Sequence, residues 1–196
     1  VPELMAALGR AIDQRQAVAL LGTTFAFVHL LDRLADERRS LRLPEGSRIF
    51  DTGGVKGRSR EIGREELEHG LVERLGVPAA FQVNMYGLTE LSTQFIDATL
   101  RDRVFGVARA PRKTVPPWAR TRVLDPETLR PVPDGTPGVL CHTDLANWAS
   151  VCTVLTEDLG VARDGGFEIL GRVRGSEARG CSIAMDELLA ATGRRP

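Results

Sequence analysis

Between residues 3 and 100 the chain alternates short apolar runs stopped by glycine with longer segments whose apolar residues recur at helical spacing. That alternation constrains the fold more than any other property of the sequence. Residues 3–16 carry Leu4, Leu8 and Ile12 on one helical face. "AVALLG" (17–22) follows as a short buried strand. "TTFAFVHLLDRLADERR" (23–39) is a helix capped by Thr23 or Thr24, with Phe27, Leu30, Leu31 and Leu34 on its inner face. "SRIFDTGG" (47–54) is a strand running into a double-glycine turn. "GREELEHGLVERLG" (63–76) is a helix with Leu67, Leu71 and Leu75 inward, acids in its first turn and Gly76 at its end. "AAFQVNMYG" (79–87) is the next strand, and "LTELSTQFIDATL" (88–100) starts a helix or turn. Strands and helices alternating in this way predict an α/β fold, a mostly parallel sheet flanked by helices.

The character changes near residue 106. "ARAPRKTVPPWARTRVLDPETLRPVPDGTPGVLCHTDL" is dense in Pro and Gly, with short β-rich pieces between turns, and "VCTVLTEDLG" and "GFEIL" continue it. The expected organisation is an α/β subdomain over 1–105, a small β-rich, barrel-like subdomain over 106–170, and a hinge with a short C-terminal tail over 171–196.

Composition narrows the class of partner. With 26 basic and 26 acidic residues the net charge is zero, which argues against a nucleic-acid partner or an anionic membrane surface. Basic residues still cluster in "GVKGRSREIGR" (54–64) and at the end of the chain, which suits a small phosphate-bearing ligand. No apolar run reaches the ~18 residues of a membrane span, and no secretory leader pattern is present. The three cysteines are irregularly spaced and only three histidines accompany them, so no metal-ligand cluster is expected. Reduced thiols and a cytoplasmic location follow.

Three segments carry candidate chemistry. In "NMYGLTEL" (84–91) a strand ends in Tyr86-Gly87 at the edge of a sheet where α/β proteins bind ligands. Gly87 allows close approach to the backbone, Thr89 can donate to a phosphate oxygen and Glu90 can hold Mg2+. The plainer alternative makes Thr89 a helix cap and Glu90 a complement to the helix dipole. In "DTGGVKGRS" (51–59) the glycines present backbone amides to an anion, or form a solvated turn; the spacing is not that of a P-loop. In "LTEDLGVARDGGFEILGRVRG" (155–175) Asp158 and Arg172 suit a ribose phosphate, or belong to a hairpin with an acidic turn and an exposed arginine.

The pieces "TGGVKGRS", "NMYGLTEL", "LTEDLG" and "GFEILGRVRGSEARGC", in this order, resemble the adenylate-forming superfamily of acyl and aryl ligases. Within it they most resemble the LuxE-type acyl-protein synthetases, the synthetase component of the fatty-acid reductase of bacterial bioluminescence. The resemblance implies part of an adenylate-forming enzyme fold that uses ATP and Mg2+. It implies activation of a carboxylic (fatty) acid as its acyl-adenylate, then capture by an enzyme cysteine as a thioester for an acyl-CoA-reductase-like protein partner. By the same resemblance Gly53 and Gly54 line the adenine pocket and Tyr86 packs against the base. Thr89 contacts phosphate, Glu90 takes Mg2+, Asp158 holds the ribose hydroxyls and Arg172 contacts the nucleotide beside the hinge. Cys181, after Arg-Gly, is the acyl acceptor, and with Thr89 and Glu90 it completes the expected catalytic set.

Chemistry is compatible with that role for Cys181. A thiolate is the best side-chain nucleophile near neutral pH, and cationic neighbours such as Arg179 lower a thiol's pKa. Taken without the resemblance, the apolar spacing of "CSIAMDELL" favours a buried cysteine. Cys141 and Cys152 lie in β segments as packing residues.

The sequence departs from the superfamily in two places. No Ser/Thr/Gly-rich phosphate loop with a lysine is present, and the chain opens on Val1, so the expectation is the C-terminal half of a longer synthetase. The segment after Gly171 is too short for the usual C-terminal lid, which agrees with the short tail of the LuxE-type family. Two other functions stay open: an acyl- or aryl-CoA ligase resembling phenylacetate-CoA ligase, with Cys181 structural, and a non-catalytic module that binds a nucleotide or a partner.

Overall fold

The computed structural model describes residues 2–53 and 63–172, so Gly54 and Cys181 lie outside the described residues. The chain condenses into two compact units that divide between Asn84 and Met85, inside a strand.

In the first unit the order is α1 (Pro2–Asp13), β1 (Ala19–Thr23), α2 (Thr24–Asp36), β2 (Arg48–Thr52), α3 (Arg64–Leu75) and the start of β3 (Gln82–Tyr86). β2 lies between β1 and β3, and β1 and β2 pair in parallel from Ala19 opposite Arg48 to Thr23 opposite Thr52. Of the two threonines that begin α2, Thr23 is the cap: its hydroxyl accepts the Ala26 N–H at 3.1 Å. Thr24 turns inward instead. Phe27, Leu30, Leu31 and Leu34 of α2 are buried together with Leu67, Leu71 and Leu75 of α3 and Ile49 of β2, as the helical spacing predicts. Each such side chain contributes about 2 kcal/mol by leaving water. α1 reaches this core through Leu8, with Met5 and Ile12 packed against it. Leu4, expected on the same inner face, is 40% exposed because it lies a turn before that contact. The Gly76 N–H closes α3 onto the Val72 carbonyl at 3.0 Å.

In the second unit the last two residues of β3 pair antiparallel with β4 (Phe95–Ile96), Tyr86 opposite Phe95. The sheet is therefore parallel at β1–β2 and antiparallel at β3–β4. Residues 88–100 resolve the choice between helix and turn: the Leu91 N–H closes a turn on the Leu88 carbonyl at 3.1 Å, and α4 (Thr99–Val104) begins only after β4. β5 (Lys113–Thr114), β6 (Ala119–Leu124), β7 (Gly138–Asp144), β8 (Thr153–Arg163) and β9 (Gly166–Arg172) form an antiparallel sheet in the order β5-β9-β8-β7-β6. Among the described residues its end strands β5 and β6 are not paired to each other, so the barrel-like region is an open sheet. Asp164-Gly165, both at positive φ (46° and 74°), turn β8 into β9, the backbone a two-residue hairpin requires. The compositional change near residue 106 falls within this unit.

Cys141 is buried on β7, but Cys152 is exposed just before β8, so only the first packs a core. Among the described residues no helix is long and apolar enough to cross a membrane.

Candidate functional site

The segment "TEDLG" forms a bulge. Between the pairs Cys141–Leu155 and Val139–Leu159, β8 carries Thr156, Glu157 and Asp158 against Leu140 alone. The Thr156 hydroxyl stitches the irregularity, donating to the Leu140 carbonyl at 2.8 Å and accepting the Asp158 N–H at 3.1 Å. Bulges re-aim side chains: Glu157 is exposed while Asp158 is buried. β9 has an irregularity of its own. Leu159 pairs with Gly171 and Gly160 with Ile169, leaving Leu170 as the extra residue. Gly171 absorbs it at φ +142°, a backbone that residues with a Cβ rarely adopt. Arg172 then stands directly opposite Asp158, and its Nε donates to Asp158 Oδ1 at 2.9 Å.

Tyr86, at the end of β3, reaches the other oxygen of the same carboxylate: its hydroxyl donates to Asp158 Oδ2 at 2.6 Å. Its ring lies 6.0, 5.6 and 5.9 Å from those of Phe95, His142 and Phe167. Burial, and then the Asp158 carboxylate, push the Tyr86 hydroxyl far above its usual pKa, so it remains a donor. His142 is fully buried beneath it, sharing a 2.9 Å hydrogen bond with Thr121 Oγ1 through Nδ1. Burial lowers its pKa to about 4 against the opposing pull of Asp158, which keeps the ring neutral at pH 7. The fold thus brings together Tyr86, Asp158 and Arg172. A carboxylate has about four lone-pair sites; with one donor on each oxygen among the described residues, Asp158 retains capacity on both.

Thr89 and Glu90 are the two central residues of the turn closed by Leu88 and Leu91. Both are exposed, and no hydrogen bond or ion pair engages either side chain among the described residues. No helix starts there, which removes the capping alternative. Gly87 is exposed beside them, and among the described residues the Gln94 side chain alone, at 3.8 Å, lies near where a Cβ would stand. Among the described residues no group of three or more His, Cys, Asp or Glu side chains could hold a metal. A single exposed carboxylate fits Mg2+ that keeps its waters and takes phosphate oxygens as its other ligands.

In the first unit, Gly53 follows β2 at φ +84°, with no atom of the described residues within 4 Å of where a Cβ would stand. One residue-pair earlier stands a carboxylate that the motifs do not single out. Asp51, 1% exposed, accepts from the Thr24 hydroxyl and Asn84 Nδ2, both at 2.8 Å on Oδ2, and from Arg64 Nη1 at 2.9 Å on Oδ1. Thr24 Oγ1 also donates toward the Gly53 carbonyl at 2.9 Å. The signal for Asp51 was its inward place in the alternation of β2; its partners, 27 and 33 residues away, leave no local trace.

The family model described as "Acyl-protein synthetase, LuxE" matches residues 3–190. The long-chain-fatty-acid–luciferin-component ligase of Aliivibrio fischeri is 27% identical over 195 residues, covering 93% of this chain and 48% of that relative. The chain therefore spans about half the relative's length. Among solved structures, ATP-bound MatB from Rhodopseudomonas palustris matches with a TM-score of 0.55 at 18% identity, over 84% of this chain and 33% of that one. The McyG A-PCP complex with phenylalanyl-adenylate matches with a TM-score of 0.57 at 17% identity, over 88% of this chain and 29% of that one. The fold is that of adenylate-forming enzymes.

Proposed function

Because the chain belongs to the LuxE family of acyl-protein synthetases, we propose that it supplies the ribose-binding and phosphate-binding groups of an ATP-dependent fatty-acid-activating enzyme. The observation that carries this reading is the state of Asp158, buried and held from two sides by Tyr86 and Arg172, with one acceptor site left on each oxygen among the described residues. Two acceptor sites on one fixed carboxylate match the two neighbouring hydroxyls of a ribose. The Arg172 guanidinium adds a fixed positive charge beside them.

The reaction divides into two displacements. A carboxylate oxygen of the acid attacks the α-phosphorus, the bond to the β-phosphate breaks and pyrophosphate leaves, giving the acyl-adenylate. A thiolate then attacks the acyl carbon, the bond to AMP breaks, and a thioester remains for a reductase partner. Asp158 and Tyr86 fix the nucleotide's sugar, so that the α-phosphorus is presented at one distance and angle; positioning of this kind supplies much of the rate. Thr89 donates its hydroxyl to a phosphate oxygen, where negative charge gathers as pyrophosphate departs. Glu90 would hold Mg2+, whose chemistry is to neutralise phosphate charge. Gly53 and Gly54 line the adenine pocket by the family resemblance. Cys181 takes the role of acyl acceptor from its place after Arg-Gly.

The test uses the protein carrying this sequence at its full native length, incubated with ATP and a labelled long-chain fatty acid. The expected result is pyrophosphate release and a protein-bound label removed by hydroxylamine, with the label absent and pyrophosphate release retained in Cys181→Ser. Acyl-CoA formation unaffected by that substitution would replace the thioester step with a CoA ligase. Absence of pyrophosphate release with any acid would leave only a binding module.

A further inference from the structure

The turn that presents Thr89 and Glu90 is held in place by two side chains more than fifty residues further along the chain. Asn147, 8% exposed, accepts the Ser92 N–H at 2.9 Å and the Ser92 hydroxyl at 2.6 Å on Oδ1, and its Nδ2 donates to the Glu90 carbonyl. Asp144, fully buried at the end of β7, accepts the Thr93 N–H at 2.7 Å on Oδ2 and the Ala146 N–H at 2.9 Å on Oδ1. The second bond caps the single 3-10 turn, Leu145–Asn147, that delivers Asn147. Trp118 Nε1 adds a 3.0 Å bond to the Thr93 hydroxyl. Every protein bond in this set goes to the backbone or to residues flanking the turn, and none to the side chains of Thr89 or Glu90 themselves.

That distribution separates presentation from chemistry. The carbonyl of Glu90 and the N–H groups of Ser92 and Thr93 are fixed, so the peptide planes on the far side of Glu90 cannot rotate. The carboxylate it carries is left unpaired among the described residues and directed by its own backbone. Burial works to raise the Asp144 pKa, and hydrogen bonds from Thr93, Ala146 and Ser92 outweigh it, so Asp144 stays ionised and a strong acceptor near neutral pH.

We propose that Asp144 and Asn147 are positioning residues that fix the Thr89–Glu90 turn for the phosphates and their divalent cation. The inference rests on the acyl-activation reading and assigns to it two residues that never touch substrate. In Asn147→Ala the Glu90 carbonyl and the Ser92 N–H both lose their partner. The KM for Mg·ATP then rises about ten-fold and the Mg2+ concentration needed for half-maximal rate rises with it, the cost of a lost polar anchor. Binding of AMP without metal, which uses Asp158, stays within about two-fold of wild type. Asp144→Ala behaves in the same way, and Asp144→Asn, which keeps an acceptor for the Thr93 N–H, restores most of the loss.

The experiment is pyrophosphate-exchange kinetics across a Mg2+ titration, with hydrogen exchange of the Ser92 and Thr93 amides measured in the same variants. A raised Mg·ATP requirement with faster amide exchange and unchanged AMP binding supports the inference. Equal weakening of AMP and Mg·ATP, lack of rescue by Asp144→Asn, or unchanged exchange at Ser92 and Thr93 overturns it. A wild-type protein that releases no pyrophosphate overturns the acyl-activation reading and the inference with it. That failure is visible in the wild type, whereas failure of the inference alone appears only in the variants.

Discussion

Two buried aspartates, one in each unit, show how the same side chain serves different ends. Asp51 receives three donors from three elements, the Thr24 hydroxyl, Asn84 and Arg64, and is 1% exposed. Asp158 receives two, one on each oxygen, from Tyr86 and Arg172. The first carboxylate ties α2, β2, β3 and α3 together beside the start of a glycine-rich segment. The second is held open by a bulge, above an aromatic cluster with a neutral histidine at its centre. A carboxylate that gathers three donors from three elements is a structural knot, and one fixed by a single donor on each oxygen is prepared for a ligand. Burial separates the other pair of acids: Asp144, fully buried, holds a backbone N–H on each oxygen, whereas the Glu90 carboxylate is exposed at a turn.

The contrast can be broken by experiment. The largest expected effect is on Asp158. Asp158→Asn replaces one acceptor by a donor, and acyl-adenylate formation falls by about 10²-fold or more while thermal stability changes little, because one hydrogen bond to the sugar is lost and the other loses its charge. Steady-state kinetics with a melting curve checks this; a stability loss with unaltered kcat/KM would move Asp158 into the class of Asp51.

Next is the support beneath it. His142 has its pKa lowered from 6.5 to about 4, so below pH 6.5 the unfolded chain binds a proton that the folded chain refuses. Its contribution is present in full above pH 6.5 and is lost as pH falls from 6.5 toward 4, by about 3 kcal/mol in all. Urea unfolding across that window reads the slope, and His142→Gln should flatten it.

Asp51→Asn comes third. Its amide must turn an N–H toward Asn84 or Arg64, both donors, and unfolding free energy falls by about 2 kcal/mol. Arg64 is 37% exposed and solvent screens its share of the loss. Per folded molecule, nucleotide affinity should change far less than in Asp158→Asn; denaturant titration paired with binding of AMP separates the two. The smallest effect belongs to Tyr86→Phe, which removes one donor from Asp158 and keeps the ring's packing. Nucleotide affinity should shift by no more than about ten-fold, measured by calorimetry.

How much of this was legible in the sequence depends on the range of the forces involved. Apolar spacing places Phe27, Leu30, Leu31 and Leu34 inward because helical periodicity is local and leucine burial dominates the first unit. The pairing of Asp158 with Arg172 was also within reach, since both lie on one hairpin whose Asp-Gly turn is a strong signal. The segment 88–100 was ambiguous between helix and turn for a physical reason. Its backbone is held by Asp144 and Asn147, 51 and 55 residues away, and no local propensity records such partners. Partners 27 and 33 residues away hid Asp51 for the same reason, and an ordinary "CHT" stretch hid the buried His142. Cys152 shows the opposite error, since a cysteine beside a strand need not face a core.

The central claim is that Asp158 is a ribose acceptor rather than a knot. The most direct measurement compares binding of AMP and of 2′,3′-dideoxy-AMP to the full-length wild-type protein and to Asp158→Asn. The account predicts that the wild type prefers AMP by about 10²-fold and that the substitution abolishes the preference. An equal preference in both proteins, or none in the wild type, would contradict it.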